Sequence, residues 1–473
     1  MNFTAAADFI QSLDQLGTPQ HLHAYHFEHG IARARHLLDR LGGAPHATTR
    51  CVLVAGSKGK GSTVAMLSSI LAATGYRVGA FTGPHLHTPL ERFAIHLATE
   101  STEGERDRKL KDFSFDLCDL CGAIPMPEQA FVEFAERIRV IVNTWDRPDL
   151  GPPTRFEAFT AMAYRWFEEQ QVDVAVMEIG IGGRLDAVNL AEPLLSIITN
   201  ISLEHTQMLG NTLSEIAREK AGIMRVGRPV VIAHQANEAM AVLCDEATRI
   251  NAQPVIAESG WHCEPSQHAL GREGSGQWFA VSLRYHDHAP FFVPLLGAVQ
   301  LQNAAAVLAA CDALERVGLH IDEPAIRAGL AQTRWRGRFE LLGFDPLVIA
   351  DGAHTPYSMQ QLCASLHDYF PNQRIHFIVG ILRDKDGRGM LEAIARTAAS
   401  VTLCDMPVRR ATPAEQLHTL WNELPMPHVK PLLAANLRDA MQCVHTLASP
   451  DDVICITGSL HLVAAAVEEV TGN

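Results

Sequence analysis

The run Ala55-Gly56-Ser57-Lys58-Gly59-Lys60-Gly61-Ser62-Thr63 follows the apolar stretch Cys51-Val52-Leu53-Val54 and precedes a helical pattern. Few features restrict a fold more. A strand, a glycine turn and a hydroxyl pair opening a helix make a cradle for a polyphosphate and its magnesium ion. The glycines let backbone N–H groups converge on phosphate oxygens, and the helix N-terminus adds a favourable dipole. Lys60 is placed to reach terminal phosphate oxygens, and Ser62 or Thr63 to ligate the metal. The spacing is irregular, because only two residues separate Gly56 from Gly59-Lys60 where the common phosphate loop has four.

Around this loop short apolar runs alternate with helical periodicity. Strands are expected at 51–55, 76–81, 172–177, 194–199, 229–233 and 254–257, with helices at 61–74, 127–144, 157–170, 235–250, 300–317 and 322–332. Two further helices are expected within 1–50, and an exposed loop over the charged stretch 100–115. The fold class is α/β: a phosphate-loop domain with a mostly parallel sheet covered by helices on both faces. Residues 259–296 break the rhythm and predict a small antiparallel insertion. The basic turn Thr333-Arg334-Trp335-Arg336-Gly337-Arg338 marks the boundary, giving domains at 1–333 and 334–473. In the second, a smaller Rossmann-like α/β domain, strands are expected at 346–350, 374–380, 400–404 and 452–457.

A net charge of −14 argues against a nucleic-acid surface, and no apolar stretch is long enough to predict a membrane span. Many of the ten cysteines lie inside apolar runs, such as Cys51, Cys244 and Cys455, which suits buried thiols in a reducing cytoplasm. The expected partners are therefore small molecules, neither nucleic acid nor membrane. A monomer is the expected state, because a cleft between two domains needs no second subunit. Only seven of the 39 basic residues are lysines, and four of them (Lys58, Lys60, Lys220, Lys385) fall in the segments singled out here.

Glu178 ends a buried strand and precedes Gly180-Ile181-Gly182-Gly183-Arg184-Leu185-Asp186, at the sheet edge where ligands bind. It is either a magnesium ligand or an N-cap or surface acid; the glycines favour the ligand, since they keep space clear for something bulky. His205 follows another strand end and is either a pocket histidine or a ligand of a second metal. Lys220, on a helix beginning near Leu213, either snorkels or points back at the phosphate site. Arg338 at the junction is placed to reach nucleotide phosphate. Asp351-Gly352-Ala353-His354 lies beyond a strand of the second domain, as turn residues or as an acid–histidine pair for catalysis.

These segments occur in an ordered series: Gly56…Lys60-Gly61-Ser62-Thr63, Pro84-His85-Leu86, Glu91-Arg92, Phe156-Glu157, Glu178 to Ala187, His205-Thr206, Glu219-Lys220-Ala221-Gly222, Asn303-Ala304, Gly337-Arg338-Phe339-Glu340, Asp351 to His354 and Asp384-Lys385-Asp386. The series resembles the folylpolyglutamate synthase and dihydrofolate synthase family, relatives of the Mur ligases, from about residue 30 onward. The resemblance implies an ATP-dependent amide ligase (EC 6.3.2 type). ATP phosphorylates a folate carboxylate, or dihydropteroate for the synthase activity, and L-glutamate attacks the acyl phosphate. By the same resemblance ATP and Mg2+ are held by Gly56, Ser57, Lys58, Gly59, Lys60, Gly61, Ser62, Thr63, Asn303, Arg338 and Asp351. Lys60, Glu178, His205, Lys220, Asp351 and His354 serve catalysis. Ser62 and Glu178 hold one magnesium, while His205 and Lys220, the latter as a carbamate, face a second.

The chain also departs from the family pattern. Ser57-Lys58 replaces Thr-Asn, Gly83 replaces a serine that serves the first magnesium, Val299 a histidine, and Thr355 an asparagine. Two other functions follow if those changes are decisive: a Mur-like ligase acting on a different carboxylate, or a nucleotide-binding homologue without activity.

Overall fold

The computed structural model describes residues 1–15, 28–97, 123–259, 261–271, 274–282, 289–425 and 429–471. The loop expected at 100–115 lies outside them. The chain divides into two compact units: Met1–Ser266, Trp278–Val293 and Gln300–Arg334 form one, and Gln267–Gln277, Pro294–Val299 and Trp335–Asn473 the other.

In the first unit the strands are β1 (Cys51–Ala55), β2 (Val78–Phe81), β3 (Phe93–His96), β4 (Ile124–Pro125), β5 (Val174–Glu178), β6 (Leu195–Ile198), β7 (Pro229–Ile232) and β8 (Gln253–Ile256), ordered β4-β3-β2-β5-β1-β6-β7-β8. β1 runs parallel to both β5 and β6 and is buried along its whole length. That is why its sequence is a continuous apolar run rather than an alternating one. β3 and β4 add an antiparallel edge that the βα rhythm does not announce. The helix Lys60–Ala73 starts at Gly59, whose φ of +90° few other residues tolerate. A buried ion pair ties the helix Gly30–Arg40 to the helix Arg155–Glu169. Arg33 Nε and Nη2 donate to the two oxygens of Glu157 at 2.8 and 2.7 Å. Glu157 is thus a structural brace.

β9 (Cys263–Ala269), β10 (Gly276–Val281) and β11 (Phe291–Val293) form a separate three-stranded sheet. The second unit is built on β12 (Glu340–Gly343), β13 (Leu347–Asp351), β14 (Ile375–Val379), β15 (Ala398–Cys404), β16 (Leu432–Ala434) and β17 (Val453–Thr457), ordered β12-β13-β17-β14-β15-β16. β12 is antiparallel to β13, and the strands from β13 to β16 run parallel. The helices Pro356–Tyr369, Gly387–Ala395 and Ala414–Asn422 pack into one core. Leu437–His445 and Leu460–Thr471 pack into another. The helices leaving the neighbouring strands β13 and β17 therefore cover opposite faces, and the crevice at those strand ends is the topological switch point where such sheets bind ligands. Among the described residues no helix is long and apolar enough to cross a membrane.

Candidate active site

The loop after β1 is fixed by its neighbour strand. The Ser57 and Lys58 amides donate to Asn200 O at 2.7 and 3.3 Å, and Ser57 Oγ donates to Ser202 O at 3.0 Å. Ser57 therefore braces the loop. The amides of Lys60, Gly61 and Ser62 belong to the first helical turn, which offers them no acceptor of its own; they form the phosphate-facing end. Two glycines are compulsory for close approach: a Cβ on Gly56 would overlap Thr199 Oγ1, and one on Gly59 would overlap Asn303 Oδ1. Asn303 thus meets the loop, and its Nδ2 donates to Gln300 Oε1 at 3.0 Å.

Three lysines gather at this loop. Lys60 Nζ and Lys220 Nζ both donate to Gly56 O, at 2.9 and 2.7 Å. Lys220 is 1% exposed, so it does not snorkel but points at the phosphate loop. It also donates to Glu204 Oε1 at 3.2 Å, and Lys58 Nζ lies 3.6 Å from Glu204 Oε2. Burial pushes the Glu204 carboxyl up, but the Lys60, Lys220 and Lys58 ammonium groups outweigh it and hold the carboxyl at about 2. Burial lowers Lys220 to about 8 against the opposing pull of Glu204. Glu204 balances the extra charge that Lys58 brings. Sequence reasoning did not single it out; three of seven lysines in one site called for such a counter-charge.

Glu178 is buried at the end of β5, opposite Val54 of β1, and its Oε2 accepts from the Gly83 amide at 3.0 Å. The expectation that Gly180, Gly182 and Gly183 keep space clear for a ligand is corrected. A Cβ on Gly180 would lie 2.6 Å from the Phe156 ring, and one on Gly183 2.8 Å from Glu219 O. These glycines let the loop lie flat against Phe156 and the helix Leu213–Ala221. Asp186 pins the same loop by accepting from the amides of Gly180, Ile181 and Val188. His205 has a left-handed φ of +47° and opens the short helix Thr206–Leu209.

The residues fit one magnesium ion. Ser62 Oγ, buried at the helix start, takes no hydrogen bond from the described residues, and a carboxylate stands at the neighbouring strand end. Hydroxyl and carboxylate oxygens completed by phosphate and water are what this hard cation prefers. Among the described residues no three His, Cys, Asp or Glu side chains converge as a metal cage. A second cation beside Lys220 does not fit while that side chain is an ammonium.

In the second unit Asp351 accepts from the Phe339 and Ala353 amides, both at 2.8 Å, and burial raises its carboxyl against the pull of Arg338. Arg338 packs against Gly352, where a Cβ would overlap its Nη1. His354 Nδ1 lies 2.7 Å from Gly352 O, which fixes the ring beside the end of β13. Thr355 caps the helix Pro356–Tyr369 by accepting from the Ser358 amide, a role asparagine shares, so its departure is conservative. Ser459, buried just beyond β17 and accepting from the His461 amide, joins Asp351 and His354 at the switch point. Only the strand order reveals it.

Residues 158–311 match the Mur ligase middle domain, and residues 337–460 the glutamate ligase domain of Mur ligases. The dihydrofolate synthase/folylpolyglutamate synthase of Bacillus subtilis is 31% identical over 444 residues, covering 92% of this chain and 93% of that protein. The chain belongs to the folylpolyglutamate synthase/dihydrofolate synthase family. The family's folylpolyglutamate synthase from Lacticaseibacillus casei is 30% identical over 477 residues, the full length of both. Among solved structures of the family, Mycobacterium tuberculosis folylpolyglutamate synthase complexed with ADP and AMPPCP superposes with a TM-score of 0.81 at 28% identity, over 100% of this chain and 99% of that one. Escherichia coli FolC in complex with DHPP and ADP gives 0.76 at 27%, over 99% and 98%. The chain is accordingly an α/β ATP-dependent ligase of the Mur type.

Proposed function

We propose that this ligase joins L-glutamate to a folate carboxylate through an acyl phosphate. The observation that carries the reading is the placement of Lys60, Ser62 and Glu178 at the ends of the adjacent strands β1 and β5, in a chain similar along nearly its whole length to enzymes named for this reaction. Lys60 leaves Gly56 O for the β- and γ-phosphates, and the first-turn amides hold the same oxygens. Ser62 and Glu178 hold magnesium, which supplies charge neutralisation at the transferring phosphate. Asn303 and Arg338 contact the nucleotide. The incoming amino acid docks at the second unit's switch point, where Asp351, His354 and Ser459 orient it. Little acid–base chemistry is required, since positioning and charge neutralisation dominate phosphoryl transfer. His205 and Lys220 join a second metal site only if Lys220 carries a carbamate, which exchanges its positive charge for a negative one. We place the enzyme in the cytoplasm as a monomer. The eight described cysteines, all free thiols, support that compartment.

Incubation with ATP, Mg2+, L-glutamate and tetrahydrofolate or dihydropteroate is expected to release ADP together with a glutamylated product. ADP release with neither folate, but with another carboxylate, would reassign the acceptor.

A further inference from the structure

The segment after β2 holds a substitution in space that the chain order hides. The Glu91 carboxylate accepts from the Leu86, His87 and Thr88 amides at 2.7 to 2.8 Å, folding residues 84–88 into a tight loop. The next residue, Arg92, points back into that loop. Its Nε donates to His85 Nδ1 at 2.9 Å, and its guanidinium carbon lies 5.1 Å from the centre of the Phe159 ring. A Cβ on Gly83 would sit 2.5 Å from Arg92 Nη1. The guanidinium therefore fills the volume that a side chain at position 83 would take. The Gly83 amide in turn bonds Glu178, whose carboxylate interacts electrostatically with the guanidinium. Among the described residues neither Nη group has a hydrogen-bond or ion-pair partner. Burial, reinforced by Arg155, lowers the Arg92 pKa to about 10, which leaves the group cationic at neutral pH.

A planar fork with its Nε tied, its face on an aromatic ring and both Nη groups unpartnered matches the geometry of a carboxylate. We propose that Arg92 anchors the acceptor substrate by bidentate binding of its carboxylate beside Glu178, and that Gly83 keeps this position open to the guanidinium. The inference rests on the ligase function above. It gives the departure at position 83 a purpose: that position serves the acceptor through Arg92 rather than the metal through its own side chain.

The test uses full-length wild type, Arg92→Lys, Gly83→Ser and the double variant, each checked for folding by circular dichroism. ADP release is measured against tetrahydrofolate concentration at saturating ATP and L-glutamate, and ADP affinity by calorimetry. Arg92→Lys keeps the charge but loses the fork, and is expected to raise the acceptor KM about tenfold or more while leaving the ADP Kd within about twofold. Gly83→Ser displaces Nη1 and is expected to raise the same KM. The double variant is expected to be no worse than the poorer single variant, because both changes remove one interaction. An acceptor KM that stays within about threefold in both single variants overturns the proposal. So does a loss of ADP affinity parallel to the loss in KM, which would make Arg92 a structural support of Glu178. If wild type releases ADP only with another carboxylate, the folate assignment fails and the same comparison on that acceptor decides the anchor. ADP release that needs no carboxylate overturns both.

Discussion

Glu204→Gln preserves the shape of the side chain that holds the lysines and deletes its charge. The side chains of Glu204 and Lys220 are 10% and 2% exposed, so solvent screens the pair weakly. Two routes give the magnitude. Holding the Glu204 carboxyl at about 2 instead of its ordinary 4.5 corresponds to about 3 kcal/mol of interaction with the surrounding lysines. Removing one partner of a buried ion pair costs about 3–5 kcal/mol in general. Lys58 adds little, since it is partly exposed at 3.6 Å, where pairs contribute about 0.2–1 kcal/mol. Urea denaturation of the nucleotide-free protein at pH 7.5 is therefore expected to show the first unit destabilised by about 3 kcal/mol in Glu204→Gln. Adding Lys58→Asn is expected to recover part of that loss by removing one surplus cation. The carboxylate's contribution is complete above pH 4.5 and disappears as pH falls through about 2, so the difference between the proteins narrows in acid. A loss below about 1 kcal/mol at pH 7.5 would refute the reasoning, because the lysines would then be held by Gly56 O alone.

Gly59→Ala forces a left-handed alanine, a strain of about 1–2 kcal/mol, and drives its methyl into Asn303; calorimetry should show ADP binding at least about tenfold weaker with the circular dichroism spectrum unchanged. Burial lowers Lys220 to about 8 from its ordinary 10.5, so below pH 8 both folded and unfolded chains keep the proton and the burial cost is fully present. Between 8 and 10.5 the unfolded chain holds more protons and stability rises with pH; subtracting the curve of Lys220→Met isolates this slope, and a flat difference would contradict it. Thr355→Ala removes a helix cap and should cost the second unit about 1 kcal/mol in denaturation, with ADP affinity untouched.

The architecture was legible wherever a segment announced itself locally. β1, β5, β6 and β17 are mostly apolar and buried at every position because both of their faces are covered. β3, β4, β12 and β16 are two to four residues long, and their pairing comes from a neighbouring strand rather than from their own composition. The same division holds in the site. Lys60, Glu178 and Asp351 stand at a helix start or at strand ends that sequence can locate, and Lys220 in the last turn of a helix. What surrounds them was out of reach. A glycine in a sequence says that room is needed without saying what fills it. At Gly180 that is a phenylalanine ring, at Gly183 a helix backbone, and at Gly83 an arginine from nine residues further on. Ser459 needed the strand order, which only the packed sheet supplies.

One carbonyl oxygen, that of Gly56, receives both Lys60 and Lys220. The two ammonium groups are therefore linked in the thermodynamic sense. In the proposed function, drawing Lys60 onto a phosphate would leave the oxygen to Lys220, and a change of charge on Lys220 would alter how readily Lys60 departs. Reciprocity then requires that a modification of Lys220 change nucleotide affinity by the same factor as nucleotide changes the tendency of Lys220 to be modified. Titrating ADP at low and high bicarbonate would measure that factor, and equal affinities would dissolve the link. A backbone atom that reacts with nothing would in this way set the exchange rate between two ligands.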